Sequence, residues 1–514
     1  MKRPKEKLVL GIDLGTTYSS VGVFKNRQVE VIGDYVSKKS IPSFVTFTNE
    51  EILCGTVAKH EALNNENAFV YDSKRMIGRK YSDKVVQEGI KVWPFKVIRG
   101  CGNIPKIQVR YNKYKKNCLP EEISAIILKE LKNTAGEYYS TNIEEAVITV
   151  PADFNNNQRA LTRKAGELAG LKVLRIVDEP TAAAIAYGMN ENIDTKKTIL
   201  VFDFGGGTLD VSLIEATKSQ SITDEKILGC QVIATAGDQN LGGQDFDNNL
   251  IHHFARIFKD KYNCDFLQDQ RAKLIMKDKC ESAKISLSCG LETTIWVPSL
   301  YNGKDFSCKI SRSDFEKINS MLFDRILDPI KQILDDKQLS KKSIDEYILV
   351  GGSSNIPCVQ KILKEFFDGK DPAQFQRSNV SMEYAVVHGA AIIANNMGNV
   401  TINSVISHSL GVELHGGKME TLIKKNEKIP AMKEDLYTTA TNYQDKVEIK
   451  IFSGEKEMVN QNTYIGSVSL RGIFRGVSGE PQIKILFKVD EEGILKVYTK
   501  DTKTGAEKRC NFEI

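Results

Sequence analysis

Asp13 and Asp203 each sit near the end of an apolar run, just ahead of a turn rich in Gly and Thr: "LVLGIDLGTTYSSVGVF" (residues 8–24) and "ILVFDFGGGTLDVSLIE" (residues 199–215). A turn of Gly and Thr can aim several backbone N–H groups and hydroxyls in one direction, which is what a row of phosphate oxygens requires. A carboxylate repels phosphate but suits a hydrated magnesium ion bridging phosphates, so the aspartates read as metal ligands acting through water. Two matching hairpins can grip from both sides. Residues 347–367, "YILVGGSSNIPCVQKILKEFF", add a strand, a loop of Gly351, Gly352, Ser353 and Ser354, and a helix whose N-terminal dipole faces that loop. One Gly-rich turn alone is ordinary loop chemistry. Three such elements together point to a nucleotide.

These groups need a scaffold, and the text around them supplies an α/β one. From residue 1 to 396, short Val/Ile/Leu strands such as "AVITV" (146–150) and "YILV" (347–350) alternate with longer amphipathic helices. The stretch "PEEISAIILKELKNTAGEYY" opens with Pro120 at a helix N1 position. The repeated hairpin implies two related lobes. Helical patterning stops near "NNMGNVTINS" (395–404), so residues 397–404 read as a linker. Beyond it, "VEIKIF", "IKILFKV" and "ILKVYTK" alternate with period two between turns, which predicts a β-sandwich over 405–514.

Length and composition bound the reading. A chain of 514 residues exceeds what one hydrophobic core serves. Its 71 basic and 66 acidic side chains leave a charge of +5, too small for a nucleic-acid footprint. The ten cysteines form no CxxC pair, no apolar h-region follows "MKRPKEK", and no apolar run reaches membrane-spanning length. A cytoplasmic protein that binds neither membrane nor nucleic acid is expected. The basic, Tyr-containing "RYNKYKKN" (110–117) reads as a solvated hairpin loop, and the adjacent His252 and His253 lack the i, i+4 spacing of a metal pair.

Longer strings carry a resemblance: "GIDLGTTYSSVGVF", "DSKRMIGRK", "VITVPADFNNNQR", "RIVDEPTAAAIAYG", "VFDFGGGTLDVS", "AGDQNLGGQDFDN", "CESAKISLS" and "VGGSSNIP". From residue 7 to its end the chain resembles the heat shock protein 70 family of ATP-driven chaperones. The resemblance implies an actin-like ATPase domain followed by a peptide-binding β-sandwich, with ATP/ADP and Mg2+ as ligands. It matches Asp13 and Asp203 to the acids that hold magnesium through water. Gly15, Thr16, Thr17 and Tyr18 match the first phosphate loop, and Gly205, Gly206, Gly207 and Thr208 the second. Gly242, Gly243, Gly351, Gly352, Ser353 and Glu383 complete the implied nucleotide contacts, with Glu281, Lys284 and Ser288 on the adenosine side. Lys74 matches the lysine that offsets charge on the transferred phosphoryl group, and Glu179, Asp203, Thr208 and Asp210 the remaining catalytic positions, Glu179 and Asp210 orienting the attacking water. A solvated surface lysine is the plain alternative for Lys74. Pro151 and Arg159 resemble a relay to the domain interface, and Arg175 a contact for J-domain partners. In the sandwich, Val412, Leu414, His415, Ala440 and Val447 align with the peptide groove; as alternating apolar positions, Val412 and Val447 equally suit a core.

The chain also departs from the family pattern. Ile285 and Asn355 stand where typical members have arginines that stack on the base, each lost contact costing about 0.5 to 2 kcal/mol. Gln244 replaces a Glu, and "NVTINS" (399–404) replaces a Leu-rich linker, leaving less apolar coupling. The sequence ends with the sandwich, so no helical lid is expected on it and bound segments should exchange faster. The expected function is therefore an ATP-hydrolysing chaperone for extended apolar segments of unfolded or nascent chains, served by a J-domain cochaperone and a nucleotide-exchange factor. A lidless relative that binds ATP and assists another chaperone, for instance at the ribosome, with little turnover of its own is the alternative. A small-molecule kinase of the same fold would have no use for the sandwich.

Overall fold

The computed structural model describes residues 7–34, 39–64, 68–190, 196–220, 226–373, 380–397 and 400–511. Two sheets built on one plan carry the repeated hairpins. In the first, the order is Lys172–Asp178, Glu145–Val150, Leu10–Asp13, Tyr18–Lys25, Gln28–Ile32, with Ile41–Pro42 paired to Tyr18–Lys25 off that path. In the second, it is Glu346–Val350, Lys197–Phe204, Leu209–Gln220, Lys226–Asp238, Val400–Asn403. Each has an antiparallel meander whose first strand also pairs in parallel with the next strand of its sheet. Continuous burial follows from the apolar composition: Leu10, Ile12, Leu200, Val201 and Phe202 are all fully buried, so the strand ends that carry Asp13 and Asp203 are anchored between apolar layers.

The two sheets meet through the helices Glu179–Asn190 and Ala385–Asn395, whose apolar residues share a core with both sheets. Small residues allow the approach. A Cβ on Gly389 would lie 1.8 Å from the Ala182 carbonyl oxygen, so the helix backbones touch there. The helix Pro120–Tyr139 begins at the proline as expected, and the Leu119 N–H donates to the Glu122 carboxylate at 2.6 Å. The helix Asn156–Leu168 has a full capping box, with Asn155 accepting from Gln158 N–H and Gln158 returning the bond to Asn155 N–H. Residues 110–117 span a hairpin between Pro105–Tyr111 and Tyr114–Cys118 with an exposed turn.

The last part of the chain forms two four-stranded antiparallel sheets, Met419–Ile423/Leu410–Glu413/Lys446–Ser453/Thr463–Arg471 and Ala431–Tyr437/Ile483–Val489/Leu495–Asp501/Glu507–Asn511. They share a core that includes Leu410, Ile451, Val468, Ile485, Phe487 and Val497. Within the stretch read as linker, Val400–Asn403 is a strand, parallel to Lys226–Asp238. Val400 is buried in the core beneath that sheet and Ile402 packs against it; Asn399 lies outside the described residues. Polar contacts tie the later sheets to the earlier ones: Arg163 pairs with Glu492, Asn156 donates to the Gly493 carbonyl, and Lys425 lies 3.4 Å from Asp336.

Candidate nucleotide site

The two predicted turns face each other. Gly205 N–H donates to the Thr208 carbonyl at 3.1 Å, closing the second turn. The first is braced by Ser43, whose hydroxyl donates to the Gly15 carbonyl at 2.7 Å. A Cβ on Gly206 would lie 2.0 Å from Thr17 Oγ1, and one on Gly207 2.6 Å from Thr16 Oγ1, so the glycines let the turns abut. Gly243 N–H and Gln244 N–H donate to the carbonyls of Gly205 and Gly206 at 3.0 and 2.9 Å, which brings in the N-terminus of the helix Gly243–Tyr262. Ser353 Oγ donates to the Gly205 carbonyl at 2.8 Å and docks the 351–354 loop on the same spot. Gly351 has φ +82°, and a Cβ there would meet the Phe204 carbonyl oxygen at 2.4 Å, so the close turn beside Asp203 requires glycine.

Around these turns Asp13, Asp203, Glu179 and Asp210 gather beside a single ammonium. Lys74 Nζ lies 2.6 Å from Glu179 Oε1, with the two side chains only 7% and 12% exposed, so the solvated-lysine reading does not hold. Asp13 is pushed up to about 7, chiefly by burial and then by the Glu179 charge, against the opposing pull of Lys74 and a 3.4 Å bond from Thr149. Asp203 is raised well above the carboxylate range by burial, then by Glu179, Asp210 and Asp13. Asp210 is pushed up to about 7 by burial, Glu179 and Asp153, although Thr208 Oγ1 donates to it at 2.8 Å. Four carboxylates against one lysine is a site short of positive charge. Among the described residues no group of three or more His, Cys, Asp or Glu is placed to hold a metal directly. A hydrated magnesium ion, which keeps most of its waters and needs only hard oxygen neighbours, fits this donor set.

On the base side, each predicted polar group is already engaged within the protein. Lys284 Nζ donates to the Gly243 carbonyl and to Asp247 at 2.8 and 2.7 Å, and Ser288 Oγ donates to the Lys284 carbonyl at 3.2 Å. Glu281 is partly buried, and that desolvation raises its proton affinity, but Lys59 and Lys284 outweigh it and hold the carboxyl below the usual range. Lys59 also pairs with Asp278 at 2.7 Å, joining the helix Gly55–Asn64 to Gln270–Cys289. Tyr18 lies beside this group, and burial with the Glu281 charge pushes its hydroxyl up. Ile285 is 58% exposed, and the exposed Asn355 donates to the Gly352 carbonyl at 3.2 Å. Glu383 lies in an exposed turn whose neighbour Met382 accepts from Gly351 N–H.

Further members of the site are tied together by contacts between distant stretches of the chain. Arg75 donates to the Gly207 carbonyl and to Asp245, both at 3.1 Å, and so fixes the second turn from the first lobe. Gln244 bridges Asp72 at 2.6 Å and Thr17 at 3.1 Å. Arg159 pairs with Asp178 at 2.6 Å and donates to the Phe154 carbonyl at 3.0 Å; Ser404 donates to the same aspartate at 2.9 Å. Pro151 is buried beside this route, and Arg175 is half-buried on the edge strand Lys172–Asp178.

In the later sheets Val412, Leu414, His415, Ala440 and Val447 all line one open groove of about 930 Å3, with Leu436, Ile449 and Ile485. Val412 is 2% exposed and belongs to the core as well, while Val447 packs against it, so both residues serve the two roles at once.

With a paired phosphate turn, a buried acidic cluster and a separate apolar groove described, the chain falls in the class of ATPase-type chaperone folds: it belongs to the Hsp70 family. The family model described as Hsp70 protein matches residues 9–513. Among curated relatives it is similar to "Heat shock 70 kDa protein 2" of Paracoccidioides lutzii, at 41% identity over 501 residues, covering 96% of this chain and 75% of the relative. It is likewise similar to "Heat shock 70 kDa protein" of Trichophyton rubrum, 40% identical with the same coverage, and of Neurospora crassa, 41% identical over 505 residues with 96% and 76% covered. The family supports a chaperone role in protein folding and stress response; its members are ATPases that use nucleotide and Mg2+. Among the described residues no helix is long and apolar enough to cross a membrane.

Proposed function

We propose that this chain binds and hydrolyses ATP with Mg2+ and binds extended apolar segments of unfolded or nascent polypeptides. In this reading residues 1–396 form an actin-like ATPase domain, 397–404 its connector and 405–514 a peptide-binding β-sandwich. The observation that carries it is the abutment of the Gly15–Tyr18 and Gly205–Thr208 turns around Asp13, Asp203, Glu179, Asp210 and Lys74.

The backbone N–H groups and hydroxyls of the two turns bind phosphate oxygens from opposite sides. Asp13 and Asp203 are the residues that would hold magnesium through water, and the ion would supply positive charge to offset the phosphates. Lys74 keeps Glu179 fixed at 2.6 Å and supplies positive charge where the phosphoryl group departs. Asp210, held by Thr208, and Glu179 accept hydrogen bonds from the attacking water and orient it. Client segments enter the 930 Å3 groove, where the apolar floor contributes affinity and main-chain bonds along the strands accept any sequence. A J-domain cochaperone and a nucleotide-exchange factor are the partners that the family reading supplies.

Single-turnover hydrolysis of Mg2+-ATP by the purified chain, beside Lys74→Ala, tests the proposal. Hydrolysis that depends on Lys74 supports it, and no hydrolysis, or hydrolysis indifferent to Lys74, rejects it. Anisotropy with a labelled apolar peptide, with and without ATP, tests the groove.

A further inference from the structure

Asp153 is a crossing point that the proposed mechanism leaves unexplained. It lies in the turn between the strand Glu145–Val150 and the helix Asn156–Leu168. Its carboxylate and its carbonyl both accept from Gln239, just past the end of the strand Lys226–Asp238, so the turn is held by the second lobe. Its other carboxylate oxygen lies 3.1 Å from Nε2 of His408. Its backbone N–H donates to Asp210 Oδ1 at 3.3 Å. One residue thus links both lobes, the segment leading into the later sheets, and a carboxylate of the phosphate cluster.

The His408 end of this chain of contacts is built rather than incidental. His408 lies between Ser407, whose hydroxyl donates to the Phe154 carbonyl at 3.5 Å, and Ser409, which donates to Glu455 through both its N–H and its hydroxyl. The backbone on either side of the imidazole is therefore tied to the two bodies it joins. Nδ1 of His408 is buried without a partner, and the ring's polar contact is the one of Nε2 with the Asp153 carboxylate at 3.1 Å. Charge pairs crowd the surroundings: Arg159 with Asp178, and Arg325 with Asp238. Each is already matched; Arg79 acts on Asp153 from the first lobe, and His408 reaches it from the start of the later sheets.

We propose that His408 is a positioning residue for ATP hydrolysis: by holding the Asp153 carboxylate from the segment just past the connector, it sets the backbone N–H that orients Asp210 beside the phosphate turns. The inference rests on the ATPase reading above. A carboxylate that must align a water tolerates little angular freedom, and Asp210 has two holders, Thr208 Oγ1 and Asp153 N–H. Releasing Asp153 frees one of them. Undocking of the segment that carries His408 would thereby be felt at the cluster without any movement of the phosphate turns themselves.

The test uses the full chain with His408→Ala and His408→Gln, because a Gln amide can place a donor close to where Nε2 lies. Two readouts are taken: hydrogen exchange across residues 151–156 without nucleotide, and single-turnover hydrolysis with calorimetric ATP affinity. His408→Ala is expected to speed exchange there at least fivefold and to slow hydrolysis three- to tenfold, with ATP affinity within twofold of the parent and most of both losses restored in His408→Gln. Unchanged exchange in His408→Ala, a Gln variant no better than the Ala variant, or an ATP affinity that falls in step with the rate each overturns it. Asp153→Ala, combined with His408→Ala, should add nothing further to the rate loss; full additivity overturns the proposed route. If the parent hydrolyses no ATP, the ATPase reading is what fails, and the exchange comparison still decides whether His408 fixes Asp153.

Discussion

Replacing Lys74 by Met removes the one buried ammonium from a pocket that holds Glu179, Asp13, Asp203 and Asp210. Met keeps most of the volume, so the loss is electrostatic rather than a cavity. Breaking a buried pair by removing one partner costs about 3–5 kcal/mol, because the other charge stays buried and uncompensated. The remaining carboxylates then take up protons more readily than before. Asp13 is already at about 7 with Lys74 present and loses one of the influences that hold it down. A carboxylate whose folded pKa is raised costs stability above that pKa and costs less as pH falls through it. The Lys74→Met penalty should therefore be smaller at pH 6 than at pH 8. Adding Glu179→Gln should recover about 1–3 kcal/mol, since the amide needs no counter-charge. Urea unfolding of the nucleotide-free protein, followed by the buried Trp93 whose indole donates to Asp72 at 3.0 Å, reads the lobe that carries Lys74. Single-turnover hydrolysis should fall about 100- to 1000-fold, the range for one preorganised transition-state donor. Equal penalties at both pH values together with no recovery in the double variant would refute the claim that Lys74 balances this cluster.

Three further outcomes follow from the geometry. Gly351→Ala should cost at least about 2 kcal/mol and weaken ATP binding, given the left-handed backbone and the 2.4 Å approach to the Phe204 carbonyl, whereas Gly352→Ala, with nothing within 4 Å, should unfold at nearly the parent urea concentration. Burial, then the Lys39 charge, depress His388 to about 4, so the unfolded chain binds a proton that the folded chain refuses; stability should drop by up to about 3 kcal/mol between pH 6.5 and pH 4, and acid unfolding curves of His388→Gln should show a smaller drop. Because Ile285 is exposed and Asn355 is engaged with Gly352, GTP should bind within about tenfold of ATP, and Ile285→Arg should tighten ATP by roughly 2- to 30-fold in calorimetry.

What could be read from the sequence was what chain order places side by side. The hairpins around Asp13 and Asp203 declare themselves because strand, acid, glycine turn and strand are consecutive, and the fold needs only to bring two copies together. The groove residues were legible from resemblance, and the structure gathers all five on one surface. Arg75, Asp153 and Gln239 lie inside the motif strings but, like His408 outside them, were not legible as site members, because each acts through a partner from a distant stretch of chain. Lys74 was readable only as a choice between phosphate partner and solvated side chain. Burial against Glu179, a tertiary fact, removed the second option.

The segment 400–404 shows the same limit from the other side. Its four residues, "VTIN", do alternate apolar and polar, but two periods are too few for the pattern to specify a strand. The open edge of Lys226–Asp238 decides the matter by offering unpaired backbone groups, and Val400 then turns into the core beneath that sheet. A leucine-rich run could hold such a position by side-chain burial alone, whereas this stretch relies on main-chain pairing and on polar contacts such as Ser404 to Asp178. Hydrogen bonds of that kind contribute about 1 kcal/mol each and depend on alignment, so docking of this connector is held by geometry more than by buried area. It follows that the link between sandwich and phosphate cluster should be weakened by single polar substitutions at 404 and 408 and by truncation of the buried Val400, and should respond less to side-chain size at the partly buried Ile402.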